Sequence, residues 1–338
     1  MPLLDTIVVG AGVAGLRCAG QLHRAGREVL VLERAHDIGG RCATRRFEGQ
    51  PVDFGPMFIH GQHPGFLAAL EQVAGAGPIR DWPRQVQGGG PPCQPGALDL
   101  AVRRIAFAEG LKAFPRQLAQ GLEIRMETRV TALQPVTGGF ALHTADGPLL
   151  TCRNLVLALA LEQSRRLLQT LPAGPELAGI EALLGLFASV PSLTVIAGYP
   201  LDRPAPAWDI LYPDDSEILQ LVAQDSTKRP APRFLTLVAQ ARPKWSRQRL
   251  ETPPDQWSAA ILAALGERLG SWAGQPLWSH PHRWRHARAD ATGELAQPVQ
   301  ITFPEGQRLG LTGDVFAPGG GVQAAWLSGS RMAERLLA

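Results

Sequence analysis

Gly10, Gly12 and Gly15 stand in a G-x-G-x-x-G array, and a carboxylate, Glu33, follows eighteen residues after the last of them. Each position has a chemical job. Gly10 can make a tight turn, Gly12 can let the backbone approach a diphosphate, and Gly15 can let a helix lie close on a strand. Val13 and Ala14 then open that helix, where free N–H groups and the macrodipole attract anions. Glu33, with Arg34 beside it, falls where a carboxylate can accept a ribose hydroxyl.

The elements needed to position these residues are present. Thr6-Ile7-Val8-Val9 is a β-branched run, Leu16 to Leu22 has helical spacing, and Glu28 to Glu33 is a second strand. Strand, turn, helix, strand and acid in register predict a dinucleotide site, without separating FAD from NAD. The next segment does separate them. Ile38-Gly39-Gly40-Arg41 replaces a clean helix and third strand, and its backbone amides and guanidinium suit a longer diphosphate that runs on to a flavin. Arg308 to Asp314 is a short strand ending in Gly313-Asp314. Gly319-Gly320-Gly321 then opens a helix through Leu336. Asp314 is expected to accept from the sugar-like chain, and Gly321, Val322 and Gln323 to offer donors to the pyrimidine edge of the flavin, where negative charge gathers on reduction.

Composition agrees with a folded α/β protein. The chain has 338 residues, 45% hydrophobic and 19% charged, with a net charge of +3; at about 100 to 200 residues per domain this implies two domains. The apolar runs, such as Leu155 to Leu161, are far shorter than the ~20 residues of a membrane span. The mild basicity forms no arm for nucleic acid. Four scattered cysteines make neither a disulfide scaffold nor a metal set, and the N-terminal residues have no basic leader pattern, so a reduced, cytoplasmic protein with no metal is expected.

With these motifs on the page, the chain resembles the flavin-containing amine oxidase superfamily and, within it, the bacterial renalase type. The resemblance is carried by Gly10 to Gly15 with Glu33, by Gly39-Gly40-Arg41 with Thr44, and by Asp53-Phe54-Gly55-Pro56-Met57-Phe58. It continues in Trp245-Ser246-Arg247-Gln248, in His282-Arg283-Trp284-Arg285-His286-Ala287-Arg288, and in Gly313-Asp314 with Val322 and Ala325 to Gly329. It implies a Rossmann-like FAD domain of the glutathione-reductase type with an inserted α+β substrate domain. It also implies cofactor contacts from Gly55, Pro56, Met57, Phe58 and, through its backbone, Val130. The implied activity is oxidation of dihydronicotinamide dinucleotide isomers, electrons passing to O2 to give H2O2. Other amine, carbon–nitrogen or carbon–carbon oxidation in the same superfamily, or a flavoprotein without turnover, are the alternatives. Three departures fall near the inferred pocket: Gln323-Ala324 replaces Glu-Gly, His286 replaces Tyr, and Pro56-Met57-Phe58 replaces Ala-Gln-Tyr.

The expected FAD domain is discontinuous, 1–62, 100–160 and 294–338, with 63–99 and 161–293 forming the substrate domain. Leu122 to Leu133, Phe140 to Ala145 and Asn154 to Leu159 read as a meander returning to the parallel sheet. Hydride transfer to a flavin needs positioning and dryness rather than a protein nucleophile. Trp284 and His286 are the residues expected to line the pocket, with His60 a further candidate; the plain alternative for the histidines is a surface or hydrogen-bonding role. Arg283, Arg285 and Arg288 suit either substrate phosphates or a solvated face. No cysteine lies beyond Cys152, so the C-terminal segment cannot form a thioether and FAD is expected to be non-covalent. Tyr199 and Tyr212 are the only candidates for the paired tyrosines expected of an amine site.

Overall fold

A computed structural model describes residues 3–75, 77–88, 98–99, 101–290 and 295–338. Cys93 and most of the Gly88–Pro95 stretch expected as a connection lie outside them. The chain forms two compact units, 1–42 with 114–189 and 289–338, and 43–113 with 190–288. Residues 43–62 and 100–113 therefore group with the second unit and 161–189 with the first, unlike the expected ranges. Asp53 shows why, since its side chain is locked into partners of the second unit, described below.

The first unit is built on five parallel strands in the spatial order Glu123–Arg125, Val29–Leu32, Leu4–Val9, Leu150–Leu157 and Arg308–Leu311. Such strands are covered on both faces and read as continuous apolar runs; Ile7, Val8, Leu155, Val156 and Leu157 are wholly buried. Strand Val299–Thr302 adds antiparallel to Arg308–Leu311, and Val130–Val136 with Gly139–Thr144 forms the meander. The stretch expected as one strand over 122–133 is two. The chain turns at Glu127, whose φ is 52°, and the amides of Glu127 and Thr128 donate to the carbonyls of Ala35 and Glu33. On the sheet, helix Val13–Arg24 packs against helix Gly321–Leu337. Close approach requires Gly329 there, because a Cβ would stand 2.3 Å from the carbonyl oxygen of Ala14.

The second unit has a six-stranded sheet ordered Trp278–Ala289, Ser189–Tyr199, Leu235–Ala241, Leu219–Gln224, Ile210–Leu211 and Val86–Gln87. Helix Pro254–Leu269 buries Trp257, Ile261 and Leu265 in its core. A hairpin, Thr44–Phe47 with Gln50–Asp53, and a small sheet of Ile59–Gly61, Arg103–Phe107 and Pro78–Arg80 complete it. Tyr199 is fully buried with its hydroxyl donating to the Ala273 carbonyl at 2.6 Å, and burial pushes the phenol up from its ordinary value. Tyr212 is buried as well, so neither tyrosine stands as an open face for an amine. Among the described residues no helix is long and apolar enough to cross a membrane.

Candidate active site

All the glycine and acid motifs of the first unit lie at the carboxyl ends of its parallel strands, where open α/β sheets bind ligands. The ladder runs one residue past each strand end: the amides of Gly10, Glu33, Ala158 and Thr312 donate to the carbonyls of Leu32, Arg125, Val9 and Leu157. The glycine turn, the acid and the C-terminal Gly313-Asp314 thereby sit side by side.

Gly10 and Gly15 have no room for a side chain. A Cβ on Gly15 would stand 2.0 Å from the Gly10 carbonyl oxygen, and one on Gly10 would stand 2.5 Å from that of Ala158. Gly12 differs, for a Cβ there meets nothing within 4 Å. Open space above a glycine that caps an uncapped helix start fits a phosphate approaching Val13 and Ala14. Glu33 accepts from the amides of Ala11 and Ala35, at 2.9 Å each, which fixes its carboxylate beside the turn with lone pairs left for a hydroxyl. Arg34 next to it is exposed. The amide of Thr128 donates to the Glu33 carbonyl, which brings Val130 to the same end of the site.

Gly39 donates to the Ala11 carbonyl at 2.9 Å. With φ of 105° and 53°, Gly39 and Gly40 adopt a backbone that side chains disfavour, which delivers Arg41 across the crevice. There Arg41 forms a bidentate pair with Asp314, NH1 to Oδ2 at 2.8 Å and NH2 to Oδ1 at 2.7 Å. The Asp314 carboxylate raises the guanidinium above its usual value, so Arg41 stays charged. The pair borders a small recess, with Leu159, Ser189, Gly313 and Phe316 also on its walls. Gly319, Gly320 and Gly321, at φ of 90°, 58° and 66°, turn the chain into the terminal helix and place Gly321, Val322 and Gln323 in its first turn. A diphosphate-binding turn, a fixed ribose acceptor, a guanidinium and a second helix start on one sheet edge fit FAD. The expected contacts Gly10 to Gly15, Glu33, Gly39 to Arg41, Val130 and Gly313 to Gln323 thus gather on the first unit.

Gly55, Pro56, Met57 and Phe58 belong to the second unit, as do His60, Trp284 and His286. Three side chains grip the carbonyls of this segment. Trp284 Nε1 donates to Phe54 at 2.9 Å, Gln240 Nε2 to Gly55 at 2.6 Å, and Lys228 Nζ to Met57 at 3.1 Å. Trp284 stacks on Phe54 with ring centroids 5.6 Å apart, and His282 lies 4.3 Å from Trp284 and 4.8 Å from Phe54. Burial, with Arg45 nearby, pushes the His282 imidazole down to about 4, leaving a neutral ring at physiological pH. His60 is elsewhere, on the small sheet, its ring 6.0 Å from Phe58; burial lowers its imidazole below the usual value. His286 lies two residues beyond Trp284 and so projects from the same face of their strand. Arg283 and Arg285 project from the other. Arg283 donates to the Thr252 carbonyl and Arg285 pairs with Glu251, so neither is a loose phosphate contact.

Beneath the Gly55 segment is a buried quartet of charges. Lys228 contacts Asp53 Oδ2 and Asp225 Oδ1 at 2.6 Å each, and Arg229 NH2 contacts Asp225 Oδ2 at 2.6 Å and Asp53 Oδ2 at 3.2 Å. Both aspartates and Lys228 have wholly buried side chains. The remaining capacity is filled: Arg229 NH1 donates to the carbonyls of Phe107 and Ala108, and Asp53 Oδ1 accepts from Thr44 Oγ1 and the Leu111 amide. Two positive and two negative charges balance, which meets the condition for burying them. Burial alone would raise the Asp53 carboxyl, but Lys228 and Arg229 with their hydrogen bonds hold it below the ordinary carboxylate value. A depressed folded-state value adds stability above the unfolded carboxyl range and loses it as pH falls through the folded value. The Asp53 contribution is therefore expected to be lost below about pH 4, while His60 and His282, whose buried imidazoles are held below the ordinary histidine value, withdraw stability earlier, as pH falls through about 6.5 and the unfolded chain takes up protons that the folded one does not. A pH series of thermal melts checks this: the melting temperature should begin to decline near about pH 6.5 and drop further below about pH 4, and a curve level from about pH 7 to about pH 4 would contradict the histidine part.

Comparison with known proteins completes the picture. The putative flavin-containing monoamine oxidase AofH of Mycobacterium tuberculosis is 48% identical over 70 residues, 21% of this chain and 15% of that protein. (S)-6-hydroxynicotine oxidase of Paenarthrobacter nicotinovorans is 40% identical over 70 residues, 20% of this chain and 16% of that one. The matched stretch therefore spans about a sixth of these relatives. In three dimensions the chain is similar to putrescine oxidase with putrescine bound, at a TM-score of 0.72 and 16% identity over 99% of both chains. It is also similar to a putative protoporphyrinogen oxidase from Exiguobacterium sp. 255-15, at 0.76 and 14% over 99% of both. At that identity the likeness shows the fold, a Rossmann-like FAD domain with a second α/β unit. The family of flavin-containing amine oxidoreductases matches residues 13–85 and 87–337, nearly the whole chain. A crevice shaped for FAD at the strand ends, the shared architecture and that match lead to one conclusion: the chain belongs to the flavin-containing amine oxidoreductase family.

Proposed function

We propose that this protein is an FAD-dependent oxidoreductase that oxidises a carbon bonded to nitrogen in a small molecule, an amine being the first choice of substrate and O2 the acceptor. The observation that carries the reading is the first unit's cofactor crevice, in a chain whose family is defined by flavin and amine chemistry. FAD held here would supply a hydride acceptor for the substrate carbon and a route for the two electrons to O2, the hydride's proton and one released by the oxidised substrate completing H2O2. The chain's own residues bind and orient. Glu33 holds the ribose end, the turn at Gly12 and the guanidinium of Arg41 hold the diphosphate, and Gly321, Val322 and Gln323 present the start of a helix to the pyrimidine edge.

On the second unit, Trp284 is our leading substrate contact, with His282 and Phe54 packed on it and His286 on the same strand face; His60 is a further candidate. One feature favours a second reading, oxidation of dihydronicotinamide isomers of the renalase type. The Phe54 and Trp284 rings stack with a neutral His282 edge-on to both and the Arg45 guanidinium over Phe54, an aromatic and cationic cluster better suited to a planar ring than to a flexible cation, and both tyrosines are buried. Anaerobic mixing separates the two. Bleaching of the flavin band by monoamines or putrescine is the expected result. Bleaching only by the 2- and 6-dihydro isomers of NAD(P) would replace the amine reading with the second, and silence toward all of these and toward ordinary NAD(P)H would leave a flavoprotein without turnover.

A further inference from the structure

Ser328 lies in the second turn of the terminal helix with a wholly buried side chain. Its Oγ is 2.5 Å from Thr312 Oγ1 and accepts the Gly313 amide at 3.1 Å. Thr312 is itself tied to the Leu157 carbonyl at the end of the neighbouring strand. The next residue, Asp314, gives one lone pair from each carboxylate oxygen to Arg41. Arg41 in turn follows the glycines that dock on the Ala11 carbonyl. Hydrogen bonds joined by short stretches of backbone thus connect the helix, through Ser328, Gly313-Asp314 and Gly39-Gly40-Arg41, to the diphosphate turn.

Neither partner is used up by the pairing. Arg41 has five N–H donors and gives two to Asp314, while a carboxylate has about four acceptor sites and Asp314 uses two for Arg41. The pair can donate and accept at once, which suits a ligand that carries phosphate and hydroxyl groups side by side.

We propose that Ser328 is a positioning residue for the Arg41–Asp314 pair, and that the pair contacts the cofactor's diphosphate and polyol as one unit whose aim Ser328 sets. This rests on the FAD reading. Without the hydroxyl, the Gly313 amide loses its buried acceptor, the strand end relaxes, and Asp314 turns Arg41 away from its place.

The test is the FAD dissociation constant of the full-length protein, read from flavin fluorescence released on dilution, for Ser328→Ala, Thr312→Val, Arg41→Ala and each of the first two combined with Arg41→Ala. Ser328→Ala is expected to raise the constant about tenfold, the effect of one buried hydrogen bond. Thr312→Val is expected to raise it less. In the Arg41→Ala background both are expected to cost less than they do alone, because only the Asp314 contact with the polyol is left for them to disturb. Salt dependence gives a second readout, since a guanidinium–phosphate contact is screened. Ser328→Ala should flatten the salt dependence as Arg41→Ala does. Equal losses with and without Arg41, an unchanged salt slope, or no loss in Ser328→Ala would each overturn the proposal while leaving the FAD reading standing. An unaltered protein that takes up no FAD would sink both.

Discussion

Lys228→Met is expected to lower the melting temperature by about 10 to 15 °C, or to leave little folded protein at all. The ammonium it removes is wholly buried between Asp53 and Asp225, and its three hydrogens are matched by those two carboxylates and the Met57 carbonyl. Taking out one partner of a buried ion pair leaves uncompensated charge and costs about 3 to 5 kcal/mol. In a unit of this size each kcal/mol moves the midpoint by about 2 to 4 °C. Methionine keeps most of the volume and the contact with Trp82, whose ring lies 4.8 Å from the ammonium, so lost packing is a small part of the effect. A companion change separates charge from shape. Lys228→Met with Asp225→Asn leaves Arg229 opposite Asp53, a balanced pair, and is expected to recover part of the loss even though a second native group has been altered. Thermal and urea melts of the full-length variants decide this. A single variant that melts within a degree or two of the parent would show that the quartet is solvated or dispensable.

That network marks where sequence reasoning ran short. Asp53 stood out only as part of a motif, and nothing in the run Asp225-Ser226-Thr227-Lys228-Arg229 says that its charges turn inward toward a residue 172 positions away. The spacing of Asp225 to Lys228 and Arg229, three and four residues on, was the visible signal, but exposed pairs share it. The same limit hid the Arg41–Asp314 pair. Both residues were legible as cofactor contacts, yet their bond joins positions 273 apart, and only the fold decides which strand ends are neighbours. Ser328 stood out only as part of the Ala325 to Gly329 motif, one of two serines in the terminal helix, and nothing local marks its hydroxyl as the acceptor of the Gly313 amide.

What was legible was local. The turn at Gly10 to Gly15, the acid at Glu33 and the paired glycines before Arg41 are set by short-range backbone geometry, and the structure brings them together as read. The stretch Trp278 to Arg288 held a signal that was passed over. Rings recur at every second position, 278, 280, 282, 284 and 286, which is the period of a strand with one aromatic face. Seen as a histidine-rich run it offered Trp284 and His286 as pocket residues; seen as an alternation it shows His282 within the ring stack and separates Arg283 and Arg285 from it. The unit boundaries were misplaced for a related reason. The hairpin Thr44–Asp53 follows the first Rossmann elements in sequence, but its buried aspartate finds its partners in the second unit.

Gly12→Val is expected to fold and to come out colourless. The two effects can be separated because the three motif glycines have different neighbours. A Cβ at Gly12 meets no protein atom within 4 Å, and its φ of −81° is ordinary for any residue. The protein pays only the loss of a favourable residue at the start of the helix, about 1 kcal/mol. The space above Gly12 is where the diphosphate must approach the amides of Val13 and Ala14, so two methyl groups there push the anion out of hydrogen-bond range. Losing even two charge-assisted bonds of about 1.5 to 3 kcal/mol each weakens binding by at least about a hundredfold. Gly15→Ala makes the opposite case. Its Cβ would stand 2.0 Å from the Gly10 carbonyl oxygen, backbone against backbone, so the damage falls on the fold before any cofactor is present. The ratio of visible flavin absorbance to protein, read beside the melting temperature, should therefore split the pair: little flavin with a near-normal melt for Gly12→Val, and a poor melt for Gly15→Ala. Full flavin content in Gly12→Val would mean that the diphosphate does not cross that turn, and the crevice at the strand ends would have to hold something else.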